Sequence, residues 1–148
     1  MDKLIKLAQR AASLQNAKSK LISLALEEQE VKDFILWLNK ENQLYDQGID
    51  AEGNIIGYYS AATQAINPEK VAGTPYTLRD TGAFFDSFRI EIGQNEIYIT
   101  ANPIKGNDNL FEKYGEQILG LTDESKEILK FPISVHLHDK IKEYLQNT

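Results

Sequence analysis

The apolar spacing of this chain switches from helix to strand between Thr77 and Ile92, and that switch limits the folds open to it. Thr77-Leu78-Arg79-Asp80-Thr81-Gly82-Ala83-Phe84-Phe85-Asp86-Ser87-Phe88 reads as a loop and one short helix. Asp80 or Thr81 can cap that helix, because a short oxygen side chain accepts from the orphan N–H groups of a first turn. Gly82 is expected inside the turn. Phe84 and Phe88 stand i, i+4 and share a face. Phe88–Ile92 then alternates as a half-buried strand does, and Glu96–Thr100 repeats the alternation after Gly93-Gln94-Asn95. Ile90 and Ile92 share one face of the first strand, and Ile97 and Ile99 one face of the second, with Tyr98 opposite. Strand spacing in the middle and helical spacing on both sides predict an α+β fold: a small antiparallel β-sheet packed with a long N-terminal helix and C-terminal helices.

Upstream, Leu4, Leu7, Ala8, Ala11, Leu14, Ala17, Leu21 and Leu24 recur at spacings of three and four, which predicts an amphipathic helix over 2–25. Its apolar face is thin and alanine-rich, suited to another helix of this chain or of the next subunit. A second helix is expected over about 27–46, with Glu27, Glu28 and Glu30 near its positive end. Val31, Phe34, Ile35, Leu38 and Tyr45 mark its buried side, interrupted by Asn42. No Gly or Pro separates the two helices, so one rod or two both remain open. Gly48 is the expected C′ residue. Residues 49–59 suggest a small hairpin or Ω-loop turning at Glu52–Asn54. Asp50, Glu52 and Asn54 resemble a calcium loop only superficially, since Ile55 and Ala61 occupy the positions that need Gly and a bidentate Glu. Ser60–Ala65 is expected to be a short helix ended by Pro68, and 67–75 an exposed loop available for subunit contact.

Downstream, Pro103–Gly106 reads as a loop, and Asn107 or Asp108 as the cap of a short helix closed by Gly115. Ile118–Leu121 is an apolar landing. Thr122-Asp123-Glu124-Ser125 is a strong helix start. That helix is expected to reach about Lys130, to kink or restart at Pro132, and to continue with Ile133, Leu137, Ile141 and Tyr144 along one stripe.

At 148 residues the chain is expected to be a single domain over 1–148, with 1–25 as an amphipathic helical arm able to protrude. The net charge of −6 argues against nucleic-acid binding by the chain as a whole. The charge is nevertheless divided: residues 1–20 carry Lys3, Lys6, Arg10, Lys18 and Lys20 against Asp2 alone, and the remainder is strongly acidic. A basic end and an acidic body suggest head-to-tail self-contact or a basic arm laid on an acidic neighbour, beside the plainer reading of a solvated helix face. With no cysteine there is no disulfide, thiolate or cysteine-held metal. No run approaches the roughly 18 apolar residues of a membrane span, and the N-terminus lacks the apolar core of a signal peptide.

Candidate chemistry is sparse. His136 and His138, the two histidines, point about 200° apart on a helix and cannot share a metal. Asp80 and Asp86 flank the Phe pair and could act as an acid–base couple, but capping by Asp80, with Asp86 exposed or paired with Arg79 or Arg89, accounts for them far more simply. No phosphate-binding glycine loop and no nucleophile elbow is present. Tyr58, Tyr59, Tyr76, Phe84, Phe85 and Trp37 could stack bases or sugars, but few cations interleave with them, which favours core or interface roles.

Two short segments resemble a known family. Leu78-Arg79-Asp80-Thr81-Gly82-Ala83-Phe84-Phe85-Asp86-Ser87-Phe88 before a hairpin, and Tyr114-Gly115-Glu116-Gln117-Ile118-Leu119-Gly120-Leu121-Thr122-Asp123-Glu124 opening the last helix, are similar to the two signatures of phage tail-completion and virion-morphogenesis proteins. Ala83 and Phe84 depart from the pattern, which often has Arg or Lys there. The resemblance spans about residues 35–145. It implies a head–tail connector or neck subunit that forms a ring at the head–tail junction or tail terminus. The implied partners are further copies of itself and neighbouring virion connector or tail proteins, and the implied location is the virion, or the host cytoplasm during assembly. It implies no catalysis, cofactor, metal, small-molecule substrate, membrane or direct nucleic-acid contact. Candidate assembly residues are Tyr58, Tyr59, Tyr76, Arg79, Asp80, Phe84 and Phe85, with Lys3, Lys6 and Arg10 on the arm. Two alternatives stay open: a mobile-element accessory protein that binds nucleic acid through its basic first helix, and a carboxylate-dependent enzyme using Asp80 and Asp86.

Overall fold

A computed structural model describes residues 2–79, 82–93 and 96–147. The expected caps Asp80 and Thr81 and the hairpin residues Gln94 and Asn95 lie outside the described residues. Helix α1 (Asp2–Leu26) and helix α6 (Asp123–Gln146) are the two long elements. They run antiparallel, with Arg10 Nη2 donating to the Leu145 carbonyl at 2.8 Å and the Ser13 and Tyr144 hydroxyls hydrogen-bonded to each other. At the other end of the pair Leu21, Ala25 and Leu26 are buried, and Leu26 joins Val31, Ile35, Leu38 and Leu129 in one core cluster. The expected stripe Ile133, Leu137, Ile141 and Tyr144 is half-buried.

The first two helices are separate. Glu28 adopts φ −60°, ψ 131°, so the chain turns there without Gly or Pro, and α2 (Gln29–Trp37) begins. It passes without a break into a π-helix over Leu38–Gln47, which Gly48 ends in the left-handed region at φ 66°. A Cβ at Gly48 would lie 2.3 Å from the Pro75 Cβ, so both conformation and space demand glycine there. The π-helix corrects the expected buried side. Val31, Ile35 and Leu38 are buried as expected and Phe34 is half-buried, but Tyr45 is exposed and Asn39, Gln43 and Leu44 take the inner positions. Bonding i→i+5 widens each turn, so the inward positions slide from 42 and 45 to 43 and 44.

The 49–59 segment turns back as expected, through an antiparallel bridge of Ile49 with Ile55, and the Asp50 carboxylate accepts from the N–H groups of Glu52 and Asn54 at 2.9 and 3.0 Å. Helix α3 (Ala61–Ile66) is capped by Ser60, whose Oγ accepts from the Thr63 N–H at 3.1 Å. The 67–75 loop is tied back onto the Tyr58–Tyr59 segment by main-chain hydrogen bonds between Tyr59 and both Thr74 and Gly73, each 2.9 Å.

Helix α4 (Ala83–Asp86) is a single turn. Gly82 stands before it as the N-cap at φ 82° and is not inside the first turn, because the chain enters the helix from the left-handed region. Phe84, Phe85 and Phe88 are buried with Leu44, Leu110 and Ile118 in a second cluster, and the Phe84 and Phe88 rings meet edge-on at 5.0 Å. Strands β1 (Arg89–Ile92) and β2 (Ile97–Thr100) pair antiparallel in the register Ile90 with Ile99 and Ile92 with Ile97. These four isoleucines therefore share the face packed on the helical cluster. Phe88 lies just before the strand, in the core.

A second, two-residue ladder joins β3 (Ile104–Lys105) to β4 (Asp108–Asn109) around Gly106. This corrects two expectations: 103–106 is not simply a loop, and neither Asn107 nor Asp108 is the cap. Asn109 caps α5 (Leu110–Tyr114), accepting from the Phe111 N–H at 3.0 Å, because it is the last residue of β4 and its pairing with Ile104 sets the helix entry there. Gly115 closes α5, a 3₁₀ turn covers Glu116–Ile118, and Thr122 caps α6 by accepting from the Ser125 N–H at 3.1 Å. Pro132 does not restart the helix, and α6 runs through it as one element. Its missing N–H leaves the Ile128 carbonyl without a helical donor, and residue 128 is on the exposed side, within reach of solvent.

Candidate assembly surface

Three regions carry the residues singled out by the sequence. The first is the outer half of α1. Every residue from 2 to 12 is exposed, including Lys3, Lys6 and Arg10. Leu4 and Leu7 are 68% and 58% exposed, although they continue the apolar face that is buried further along the same helix. Among the described residues, Arg10 is the outermost residue of α1 with a hydrogen bond to α6. Its guanidinium meets the final turn of α6, where orphan carbonyls and the negative helix end favour a cation.

The second region surrounds the 67–75 loop. Tyr58 is exposed, whereas Tyr59 and Tyr76 are half-buried and pack edge to face at 5.0 Å, with Tyr114 next in the row at 5.8 Å from Tyr76. The Tyr59 hydroxyl bonds to Thr77 Oγ1 and accepts from its N–H, both at 3.2 Å. These two tyrosines hold the loop and do not form an open stacking platform. Arg79 lies over the Tyr45 ring at 5.0 Å and pairs with Glu41 at 3.2 Å. An open groove of about 640 Å³ runs between Tyr45, Tyr59, Lys70 and Arg79. Phe84 and Phe85, also candidates for contact, are core residues. Asp80 lies outside the described residues, so the proposed carboxylate couple is represented by Asp86 alone, which is exposed.

The third region was not anticipated. Asn39 and Gln43, one turn apart and fully buried, hold the Tyr114–Glu124 motif by its main chain. Asn39 Nδ2 donates to the Ile118 carbonyl at 3.0 Å, and its Oδ1 accepts from the Gly120 N–H at 2.9 Å. Gln43 Nε2 donates to the Gly120 carbonyl at 2.9 Å, and its Oε1 accepts from the Thr122 N–H at 3.0 Å and from the Ser125 hydroxyl at 2.7 Å. The amides thus meet alternate residues 118, 120 and 122, as a neighbouring strand would. Gly120 has φ 125°, and a Cβ on it would lie 3.0 Å from the Ala51 Cβ. The visible signal was a pair of amides at i, i+4 within an apolar helix face, masked because α-helical spacing put Asn42 there instead.

The outer face of α6 was missed as well. Ile128, Phe131 and Val135, spaced three and four apart, are 50%, 76% and 48% exposed. The spacing was present in the sequence but was eclipsed by the inner stripe. His136 and His138 point apart as expected: His136 Nε2 is 3.3 Å from Glu30, and His138 Nδ1 is 3.9 Å from Asp139. Among the described residues no group of three metal-ligating side chains converges, and every buried side-chain nitrogen and oxygen has a partner.

A close ion pair between α6 and the entry to α2 sits beside His136. Lys140 Nζ lies 2.6 Å from the Glu28 carboxylate at the entry to α2. The Lys140 hydrogen bond, then its charge, holds the Glu28 carboxyl below its ordinary range, and the same hydrogen bond holds Lys140 above its own. Compared with known proteins, the chain matches no protein-family model, and no curated protein or solved structure matches it.

Proposed function

We propose that this chain is a structural subunit of phage or prophage morphogenesis that forms a ring at the head–tail junction or tail terminus and contacts neighbouring connector or tail proteins. The observation that carries the proposal is the outer half of α1: eleven consecutive exposed residues, 2–12, with leucines on one side and Lys3 and Lys6 beside them. Apolar side chains gathered on a projecting helix gain about 1.5–3 kcal/mol each when a neighbour covers them. The two motif segments support the same reading in another way. Each ends in a built core, one through Phe84, Phe85 and Phe88 and the other through the Asn39–Gln43 clamp, which makes the body a rigid carrier for exposed contacts.

Native mass spectrometry and negative-stain imaging over a concentration series test the reading. Monomers or weak oligomers are expected at low concentration, and rings at high concentration or with a virion neighbour. A strictly monomeric species that never enters particles would defeat it. The nucleic-acid alternative rests on the same basic helix and makes a different demand: salt-dependent binding to duplex DNA that disappears when residues 1–20 are removed.

A further inference from the structure

We propose that the outer edge of β2 is a docking groove for an extended segment of another protein, which adds to the sheet as a third strand. The inference does not depend on the ring reading, because both walls of the groove belong to one chain. The sheet has two strands. The Gly93 N–H donates to the Glu96 carbonyl at 2.8 Å, and alternation from there bonds Glu91 with Tyr98 and Arg89 with Thr100 across the ladder. The N–H and C=O groups of Ile97 and Ile99 therefore point away from β1, and they have no hydrogen-bond partner among the described residues. An open groove of about 650 Å³ runs beside them, lined across the way by Leu119, Gly120 and Leu121. A smaller hollow of about 410 Å³ shares Ile99, Thr100 and Leu119 with it and carries it on to Ala101. The far wall is itself strand-like. Asn39 and Gln43 take up main-chain groups of 118, 120 and 122, while the N–H and carbonyl of Leu121 have no partner among the described residues.

The unmet main-chain groups decide the occupant. Donors and acceptors repeating at strand spacing match another extended main chain, whereas a helix has already spent its own groups internally. The floor decides the side chains. Ile97, Ile99, Leu121 and Leu129 belong to one apolar cluster, so guest residues opposite Ile97 and Ile99 share that face and meet the two leucines. Tyr98 and Thr100 stand on the other face, both exposed. The guest is thus a segment with apolar side chains at alternate positions and polar ones between. A second copy does not supply it: each strand among the described residues already has a paired neighbour, and a groove walled on both sides takes a single strand and not a hairpin. No lysine or proline, the usual guards of a bare edge, stands between Glu96 and Ala101.

Amide hydrogen exchange followed by NMR tests the edge in the wild-type protein. The Ile97 and Ile99 N–H groups are expected to exchange at least about tenfold faster than those of Tyr98 and Thr100. The guest is then sought among random nine-residue segments displayed on cells. Enriched segments are expected to alternate apolar and polar residues, and a synthetic peptide of the leading sequence should slow exchange at Ile97 and Ile99 at least about tenfold. Ile97→Pro removes one outward donor at the first position of the strand, where proline leaves the β1 ladder intact, and should weaken that peptide about 3- to 10-fold. Ile97→Val keeps the donor and should bind within about twofold of wild type. The exchange result decides the matter even if the proline variant does not fold. Slow exchange at Ile97 and Ile99 in the free protein overturns the proposal. So does a library that yields no binder, binders without alternation, or a bound peptide that leaves both amides fast. Protection of both amides that grows with protein concentration alone assigns the edge to a second copy and overturns the choice of partner.

Discussion

The two ends of the α1–α6 pair are built from the same kinds of residue and treated in opposite ways. At the inner end, Leu21, Ala25 and Leu26 are buried, Leu26 packs with Val31, Ile35, Leu38 and Leu129, and α6 is anchored at its first turn by Gln43 through Thr122 and Ser125. At the outer end, Leu4 and Leu7 stand in solvent and a single Arg10 bond marks the limit of contact. Within one helix, then, identical leucines are stability at one end and unspent contact area at the other. Apolar spacing makes the helix amphipathic throughout, but the length of its partner decides where that face becomes a core.

Four measurements test this contrast. The largest effect is expected for Gln43→Ala, which strands the Gly120 carbonyl, the Thr122 N–H and the Ser125 hydroxyl in a dry site. A loss of about 3–5 kcal/mol in urea unfolding is expected. A loss no greater than that of an arm substitution would show the inner end is not clamped. Leu21→Ala should cost about 2–4 kcal/mol in the same titration, against less than about 0.5 for Leu7→Ala. Equal costs would erase the difference between the ends. Gly120→Ala comes next, at about 2 kcal/mol from the strained φ and the Ala51 contact. A well-folded, unchanged variant would mean that the 118–122 segment can shift within its clamp.

The smallest effect belongs to the Lys140–Glu28 pair, which is read through pH. Glu28 is held below its ordinary 4.5, so its share of stability is present above that value and is lost as pH falls through the lower folded value. Lys140 is held above its ordinary 10.5, so its share is present below that value and is lost as pH rises through the higher folded value. Wild type should therefore exceed Lys140→Gln in melting temperature by a small, constant margin at intermediate pH. The margin should close in acid below 4.5 and in alkali above 10.5. A margin that persists at pH 2 would assign the effect to packing of the lysine stem.

The α+β class, the long first helix, the β1–β2 hairpin, the Thr122 cap and the Gly48 stop were all legible, because each depends on neighbours a few residues away. What was illegible depends on distant partners. Asn107, Asp108 and Asn109 have equivalent capping chemistry, and pairing with Ile104–Lys105 selects among them. The π-helix leaves no periodic trace of its own, so Asn39, Gln43 and Leu44 could not be placed inward and Tyr45 could not be placed outward. Of the candidate contact residues, Lys3, Lys6, Arg10 and Tyr58 were legible as surface. Phe84 and Phe85 were not, since an aromatic pair beside a glycine reads the same whether a core or a neighbour receives it.

Because Asn39 and Gln43 hold residues 118, 120 and 122 by peptide groups alone, the clamp takes no notice of the side chains at 119 and 121. Their tolerance to substitution is set by packing, whereas positions 39 and 43 accept nothing without an amide of the right reach. A saturation library scored for folding would therefore show two columns on the helix that demand an amide, facing positions 119 and 121 that accept other apolar side chains of fitting size. That segment could be retuned to suit different neighbours while its path through the protein stays the same.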